Sequence, residues 1–450
     1  MNKNVWDKYT EEKSKCMEEF CDGYKNFLSN NKTERECTSF AVSIAKKNGF
    51  IDLADAIKNN KKLIPGDKVY AVNMGKSVIL AVIGKQDMSK GVNFVGSHLD
   101  SPRLDIKATP VYENNELCMM DTHYYGGIKT YQWTAIPLAI HGTVAKKDGK
   151  VINFVYGEEG ACVGITDLLP HLDSNRNGAN IKGEALNLLV GSKPDSSVEK
   201  DKFKQNIFNI LKQYDIEEED LFSAELEVVP SGKARDFGLD KSMVIGYGQD
   251  DKVCAYASLM ALMQITNPER TAICILVDKE EVGSMGATGM QSKFYENTLA
   301  EIMNLCGEYS ELNLRRCLKN SCMLSSDVTA GFDPNYPTPM NENTEAHLGR
   351  GISFNKYTGS RGKYDANDAN PEFIARLRKN LDEKEIYYQA NEMGKVDAGG
   401  GGTIAYIMAN YGMEVIDAGV PVLSMHAPWE ITSKLDIYES YLCYLSFYQM

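Results

Sequence analysis

Five short apolar runs in this 450-residue chain each end in a residue that can bind a metal ion. Val92–Ser97 leads into His98-Leu99-Asp100, and Ser242–Gln249 leads into Asp250-Asp251. Thr271–Val277 leads into Asp278-Lys279-Glu280-Glu281, Cys322–Ser326 into Asp327, and Val420–Met425 into His426. Two divalent ions about 3.5–4 Å apart need roughly three protein ligands each, with one carboxylate bridging and a hydroxide held between them. The set supplies that count. His98 and Asp327 are expected to hold one ion, Glu281 and His426 the other, and Asp250 to bridge. Glu280 is then spare and adjacent, where a general base can take a proton and pass it to a leaving amine. Asp100, two residues beyond His98, suits a carboxylate that orients the ligand ring. Burying Asp250-Asp251 costs several kcal/mol unless a cation compensates, although a turn with an Asp helix cap before Lys252 is an equal use of the pair. Imidazole and carboxylate ligands without thiolate favour zinc, with cobalt or manganese as alternatives.

These residues must be positioned by an α/β framework. Continuous apolar runs read as strands buried on both faces, and helical patterns fall between them at 252–265, 292–304, 371–381 and 402–411. Ligands in such sheets gather at the carboxyl ends of strands, so five strand ends are expected to meet at one crevice. Upstream, Trp6 to Phe27 has the spacing of one helical face, ending at Asn30-Asn31. Thr33 and Glu36 have capping-box spacing for a second helix that stops at Asn48-Gly49. Two β-rich runs flank Asn73-Met74-Gly75-Lys76, a hairpin signal. Residues 108–238 differ, with β-like runs at 138–144, 151–156 and 224–229, a turn at Gly126-Gly127, a polar stretch at Ser174–Gly178 and charge-rich helical sequence at 199–221. They read as a strand-rich domain inserted into a catalytic domain formed by 1–107 and 239–450.

Composition narrows the class. Lys plus Arg number 49 against 62 Asp plus Glu, a net charge of −13 that opposes nucleic acid and anionic lipid. No run reaches the roughly 18 apolar residues of a membrane helix. The first residues lack the apolar core of a secretory signal. Eleven cysteines without a CxxC pair read as reduced, buried small hydrophobes, and a cytoplasmic location is expected.

At these residues the chain resembles the aspartyl aminopeptidase and aminopeptidase I family of dinuclear zinc metallopeptidases. The segments that carry the resemblance are GSHLDSPRLDIK (96–107), YGQDDKVCAYASL (247–259), DKEEVGSMGATG (278–289), LSSDVTAGFDPNY (324–336), KYTGSRGKYDANDA (356–369), GGGGTIA (399–405) and LSMHAPWE (423–430). It implies a mixed-sheet, three-layer metallopeptidase domain with an inserted β-rich dimerisation domain, two zinc ions per subunit, and a tetrahedral homododecamer. It also implies ligand roles for His98, Asp250, Glu281, Asp327 and His426, a base role for Glu280, support of His98 by Asp100, and a role for His171 in a neighbouring subunit's site. Aspartyl-selective members carry histidines after the metal-binding Asp, where this chain has Ala330-Gly331-Phe332-Asp333, so a neutral first residue stands beside an acidic one as the expected substrate. Lys356, in a basic stretch with Arg350, Arg361 and Lys363, is the candidate for an acid-binding pocket, and a solvated basic loop is its alternative. Backbone at Gly399–Gly402, including Gly400 and Gly401, can approach a peptide closely. The expected activity is removal of amino-terminal residues from peptides. A carboxypeptidase or amidohydrolase with the same ligands, and a catalytically retired shell protein, are the competing readings.

Overall fold

The computed structural model describes residues 3–173, 181–359, 361–364, 366–398 and 400–450. The expected polar stretch Ser174–Gly178 and Gly399 lie outside these residues. The chain divides into two units, one comprising 1–100, 234–425 and 430–450, the other 101–233 and 426–429.

The first unit is built on a nine-stranded mixed sheet. Its centre is a parallel set, with Asn93–His98 flanked by Ala272–Val277 on one side and Cys322–Ser325 on the other, and Glu414–Gly419 next to Cys322–Ser325. Burial alternates strictly between faces. Ala272, Cys274 and Leu276 join one apolar cluster, whereas Ile273, Ile275 and Val277 join another on the opposite face. Every residue of Ala272–Val277 is therefore buried, which is why the run is continuously apolar. Helices Glu11–Asn30, Gln249–Met263, Pro371–Glu383 and Lys434–Tyr448 supply the first cluster, and Phe294–Cys306 and Glu311–Asn320 the second. The result is a three-layer α/β unit.

Local signals act as expected at the amino-terminal end. Helix Glu34–Lys47 begins with a complete capping box between Thr33 and Glu36, a device worth about 1 kcal/mol. Lys68–Asn73 and Ser77–Val82 form the antiparallel hairpin. Two of the five apolar runs, however, are not strands of the main sheet. Met243–Gly246 and Pro421–Leu423 belong to a separate five-stranded sheet, where both pair antiparallel with Glu430–Ser433. Met243–Gly246 buries only alternate residues, the pattern of a half-covered strand. Three strand ends of the main sheet, rather than five, thus carry expected ligands.

The second unit is a six-stranded antiparallel sheet. Arg103–Asn114 and Leu117–Tyr125 form a long hairpin that the expected runs did not include. Helix Lys202–Lys212 buries Ile207, Phe208 and Leu211. Gly142 has φ +151°, and a Cβ there would lie 1.9 Å from the Glu225 carbonyl oxygen, so only glycine fits. All eleven cysteines are free, but Cys16 and Cys162 are exposed against expectation. Cys16 lies between Lys15 and Glu19 on the solvent side of its helix. Among the described residues, no helix is long and apolar enough to cross a membrane.

Candidate metal centre

Three neighbouring strands of the main sheet end at the same level. His98 is paired in register with Val277, and Ser325 with Gly96, so His98, the Asp278–Glu281 turn and Asp327 emerge side by side. Asp327 approaches through a glycine: a Cβ on Gly419 would fall 1.6 Å from its carbonyl oxygen. Asp250 and Asp251 arrive differently, at the start of helix Gln249–Met263, where both depart from helical angles and are joined by a cis peptide. Their turn is pinned from the five-stranded sheet. Glu430 accepts the Asp250 amide hydrogen at 3.1 Å, and the Gln249 side chain donates to the Glu430 carbonyl at 2.6 Å and to that of Val244 at 3.2 Å.

His98 is the centre of the group. Its Nδ1 donates to the Asp100 carbonyl oxygen at 2.9 Å, which orients the ring and leaves Nε2 directed at oxygens. Nε2 lies 3.1 Å from Asp250 Oδ1, 3.8 Å from Asp327 Oδ1 and 3.9 Å from Glu280 Oε2. Nε2 facing carboxylate oxygens requires a positive charge between them, which a ring proton supplies in the free protein and a metal ion replaces when bound. Two overlapping sets, His98 with Asp250 and Glu281, and His98 with Asp251 and Asp327, each bring one ligand atom per residue within 4.8 Å of one another.

The local field says the same. Burial disfavours a charged His98 ring, but hydrogen bonds to Asp100, Asp250 and Asp327 outweigh it and raise its proton affinity well above the ordinary value. Burial, with Asp327 as the next cause, holds the Asp251 carboxyl well above the usual carboxylate range. Glu280 is pushed up to about 8, first by burial and then by Asp327, with His98 opposing. Asp100 organises the base: its Oδ1 accepts from the Glu280 amide at 3.1 Å and its Oδ2 from that of Glu281 at 3.2 Å. The preceding Lys279 adopts a left-handed φ of +69°, which turns the acid pair out of its strand.

Four of the five expected ligands, His98, Asp250, Glu281 and Asp327, fall in these two sets. His426 is in neither; it belongs to the second unit, where its Nδ1 lies 2.9 Å from the Gly127 carbonyl oxygen. His171 is exposed in the second unit, within a turn where the Leu172 amide donates to the Leu169 carbonyl at 3.1 Å. Lys356 lies 4.7 Å from the Tyr357 ring centroid and lines a cavity of about 270 Å³ with Phe354, Leu377 and Arg378. Gly400 has φ +139°, and the Gly401 carbonyl accepts the Gly359 amide hydrogen at 3.0 Å. Two residues went unassigned in the sequence, Asp251 and Glu430. The adjacency of Asp251 to Asp250, and the place of Glu430 at the end of LSMHAPWE, are the signals that could have found them.

The donor set fits zinc. It is made of imidazole nitrogen and carboxylate oxygens, and Asp251 Oδ1 is buried without a hydrogen-bond partner. A family model described as aminopeptidase I zinc metalloprotease (M18) matches residues 27–448. A Clostridium acetobutylicum protein named probable M18 family aminopeptidase 1 is 56% identical over 453 residues, spanning 99% of this chain and 97% of that one. A crystal structure of an M18-family aminopeptidase from Thermotoga maritima superposes with a TM-score of 0.94 at 42% identity, covering 100% of this chain and 99% of the other. The crystal structure of aminopeptidase I from Clostridium acetobutylicum gives a TM-score of 0.92 at 52% identity, again covering 100% and 99%.

Proposed function

We propose how this chain, which belongs to the M18 family of aminopeptidase I zinc metalloproteases and is a zinc-dependent aminopeptidase, uses the residues around His98. The reading rests above all on the two ligand sets that share His98. With Nδ1 given to the Asp100 carbonyl, His98 holds one ion through Nε2, and the carboxylates of Asp250, Asp251, Glu281 and Asp327 are the further holders of that ion and of a second. When bound, paired zinc ions supply Lewis acidity towards a carbonyl and a hydroxide at neutral pH.

The chain's own residues do the rest. Glu280 takes a proton at its carboxylate and returns it to the leaving amine nitrogen; Asp100 keeps that carboxylate in place by gripping its backbone. Asp100 also holds the His98 ring, so a single side chain aligns ligand and base. The assignment of His426 to the second ion rests on sequence alone, and the zinc content of a His426→Ala variant tests it.

Substrates are peptides with a free amino terminus and an acidic or neutral first residue, with Lys356 the candidate partner for an acidic side chain and Gly400 and Gly401 for the peptide backbone. The second unit is a dimerisation domain within a homododecamer, in which His171 reaches a neighbouring site. Native mass measurement tests the assembly. The cysteines, all free, support a cytoplasmic location.

The deciding experiment is hydrolysis of aminoacyl amides of Asp, Glu, Leu and Lys by the zinc-reconstituted enzyme, each with free and blocked amines. Cleavage confined to free amines is the expected outcome. Equal cleavage of blocked substrates would transfer the centre to the amidohydrolase reading.

A further inference from the structure

The hairpin at Met74 closes on two residues that bond outside it. Its turn, Asn73-Met74-Gly75-Lys76, has positive φ at both central residues, +51° and +71°, and the Lys76 amide donates to the Asn73 carbonyl at 3.0 Å, a tight geometry whose twist matches the strands it joins. Asn73 and Ser77 are directly opposed across the hairpin, so their side chains project to the same face. Both donate to one neighbouring segment. Asn73 Nδ2 donates to the Ala287 carbonyl at 2.6 Å, and Ser77 Oγ to the carbonyl of Thr288 at 2.6 Å. Two opposed side chains thus hold two consecutive peptide oxygens.

Those oxygens belong to the returning limb of the loop that carries Glu280. The loop leaves strand Ala272–Val277 at Asp278 and comes back beside it, where Asp278 bridges to Gly289. Thr288 joins the two limbs: its hydroxyl donates to Asp278 Oδ2 at 2.6 Å, and its carbonyl accepts the Asp278 amide hydrogen at 3.3 Å. A Cβ on Gly289 would lie 2.3 Å from the Ser284 carbonyl oxygen, so the loop is folded closely on itself. Between the limbs, Lys279, Gly283, Ser284 and Gly286 all have positive φ, a conformation that no regular element supplies. The loop is therefore placed from outside. Asp100 grips its outgoing limb through the Glu280 and Glu281 amides, and Asn73 with Ser77 grips the returning one.

We propose that Asn73 and Ser77 are positioning residues for the reaction, holding Ala287 and Thr288 so that the loop presents Glu280 to the centre, a role that rests on Glu280 as the base. A misplacement of about 1 Å caused by a change far from the chemistry can cost on the order of 10²-fold in rate. Substrate binding by other groups is untouched by such a shift. The hairpin thus governs kcat rather than KM. Neither residue is a metal holder or a proton carrier, and each acts through the loop.

The test is a kinetic cycle on the full-length protein at saturating zinc, with metal content measured on the same samples. Asn73→Ala and Ser77→Ala are combined in the parent and in Glu280→Gln, and kcat and KM are taken on the best-cleaved aminoacyl amide. In the parent the pair should lower kcat by roughly 10- to 100-fold with KM within about twofold. In Glu280→Gln the same pair should change the residual turnover by less than about twofold, because the group it positions is already disabled. Parent-level kcat, or a loss of equal size in both backgrounds, removes this role. Parent-level turnover in Glu280→Gln alone instead removes the base on which the role rests. If the double variant does not fold, Asn73→Ala alone should lower kcat by roughly 2- to 10-fold, the scale of one neutral hydrogen bond, and an unchanged kcat refutes the assignment.

Discussion

Asp100 holds Glu280 by its backbone, its Oδ1 accepting the Glu280 amide hydrogen at 3.1 Å while its ring neighbour His98 lies 3.3 Å away through Nδ1. An Asn at this position keeps one acceptor but turns an NH₂ towards a donor. Asp100→Asn should therefore lower kcat/KM by roughly 10- to 100-fold, the usual cost of losing a residue that orients metal ligands. Steady-state kinetics with zinc analysis on the same samples checks this, and unchanged kinetics would remove Asp100 from the machinery.

Glu280→Gln preserves the shape of the side chain and removes its ability to take a proton. Turnover should fall by about 10²–10⁴-fold with zinc content intact. Parent-level turnover in this variant would show that another group is the base.

Zinc removal should destabilise the protein as well as silence it. An ion that binds only the folded state adds about 2.7 kcal/mol at a hundredfold excess over its dissociation constant. Chelation should lower the melting temperature and zinc should restore it. Asp251→Asn should need more zinc for the same restoration, since it weakens one of the two ligand sets. A titration midpoint equal to the parent's would exclude Asp251 as a ligand.

The pH dependence of stability follows from Asp417. Its folded value, pushed up to about 7 mainly by burial, lies above the roughly 3.9 of an unfolded Asp. The folded state therefore binds more protons between these values, and stability declines as pH rises through that window. The melting temperature should fall from pH 4 to pH 7 more steeply for the parent than for Asp417→Asn. Parallel curves would deny Asp417 this role.

The ligands legible in sequence were those whose positions follow from local pattern. His98, Glu281 and Asp327 each end or follow a strand buried on both faces, so a run of apolar residues points straight at them. Asp251 was not separable from Asp250, because its role depends on a turn held by Glu430, 180 positions away from Asp250. Helix Lys434–Tyr448 escaped for the opposite reason. It is buried on nearly every side, which erases the polar stripe that gives a helix its period. The capping box at Thr33 and the hairpin at Met74 needed only neighbours, and both were found.

The interruption of the first unit after residue 100 bears on how the protein is born. His98 and Asp327 stand on opposite sides of the 101–233 insertion in the sequence, so His98 leaves the ribosome long before the carboxylate it will face. The centre is thereby assembled only late in translation, once the residues after the insertion have been made.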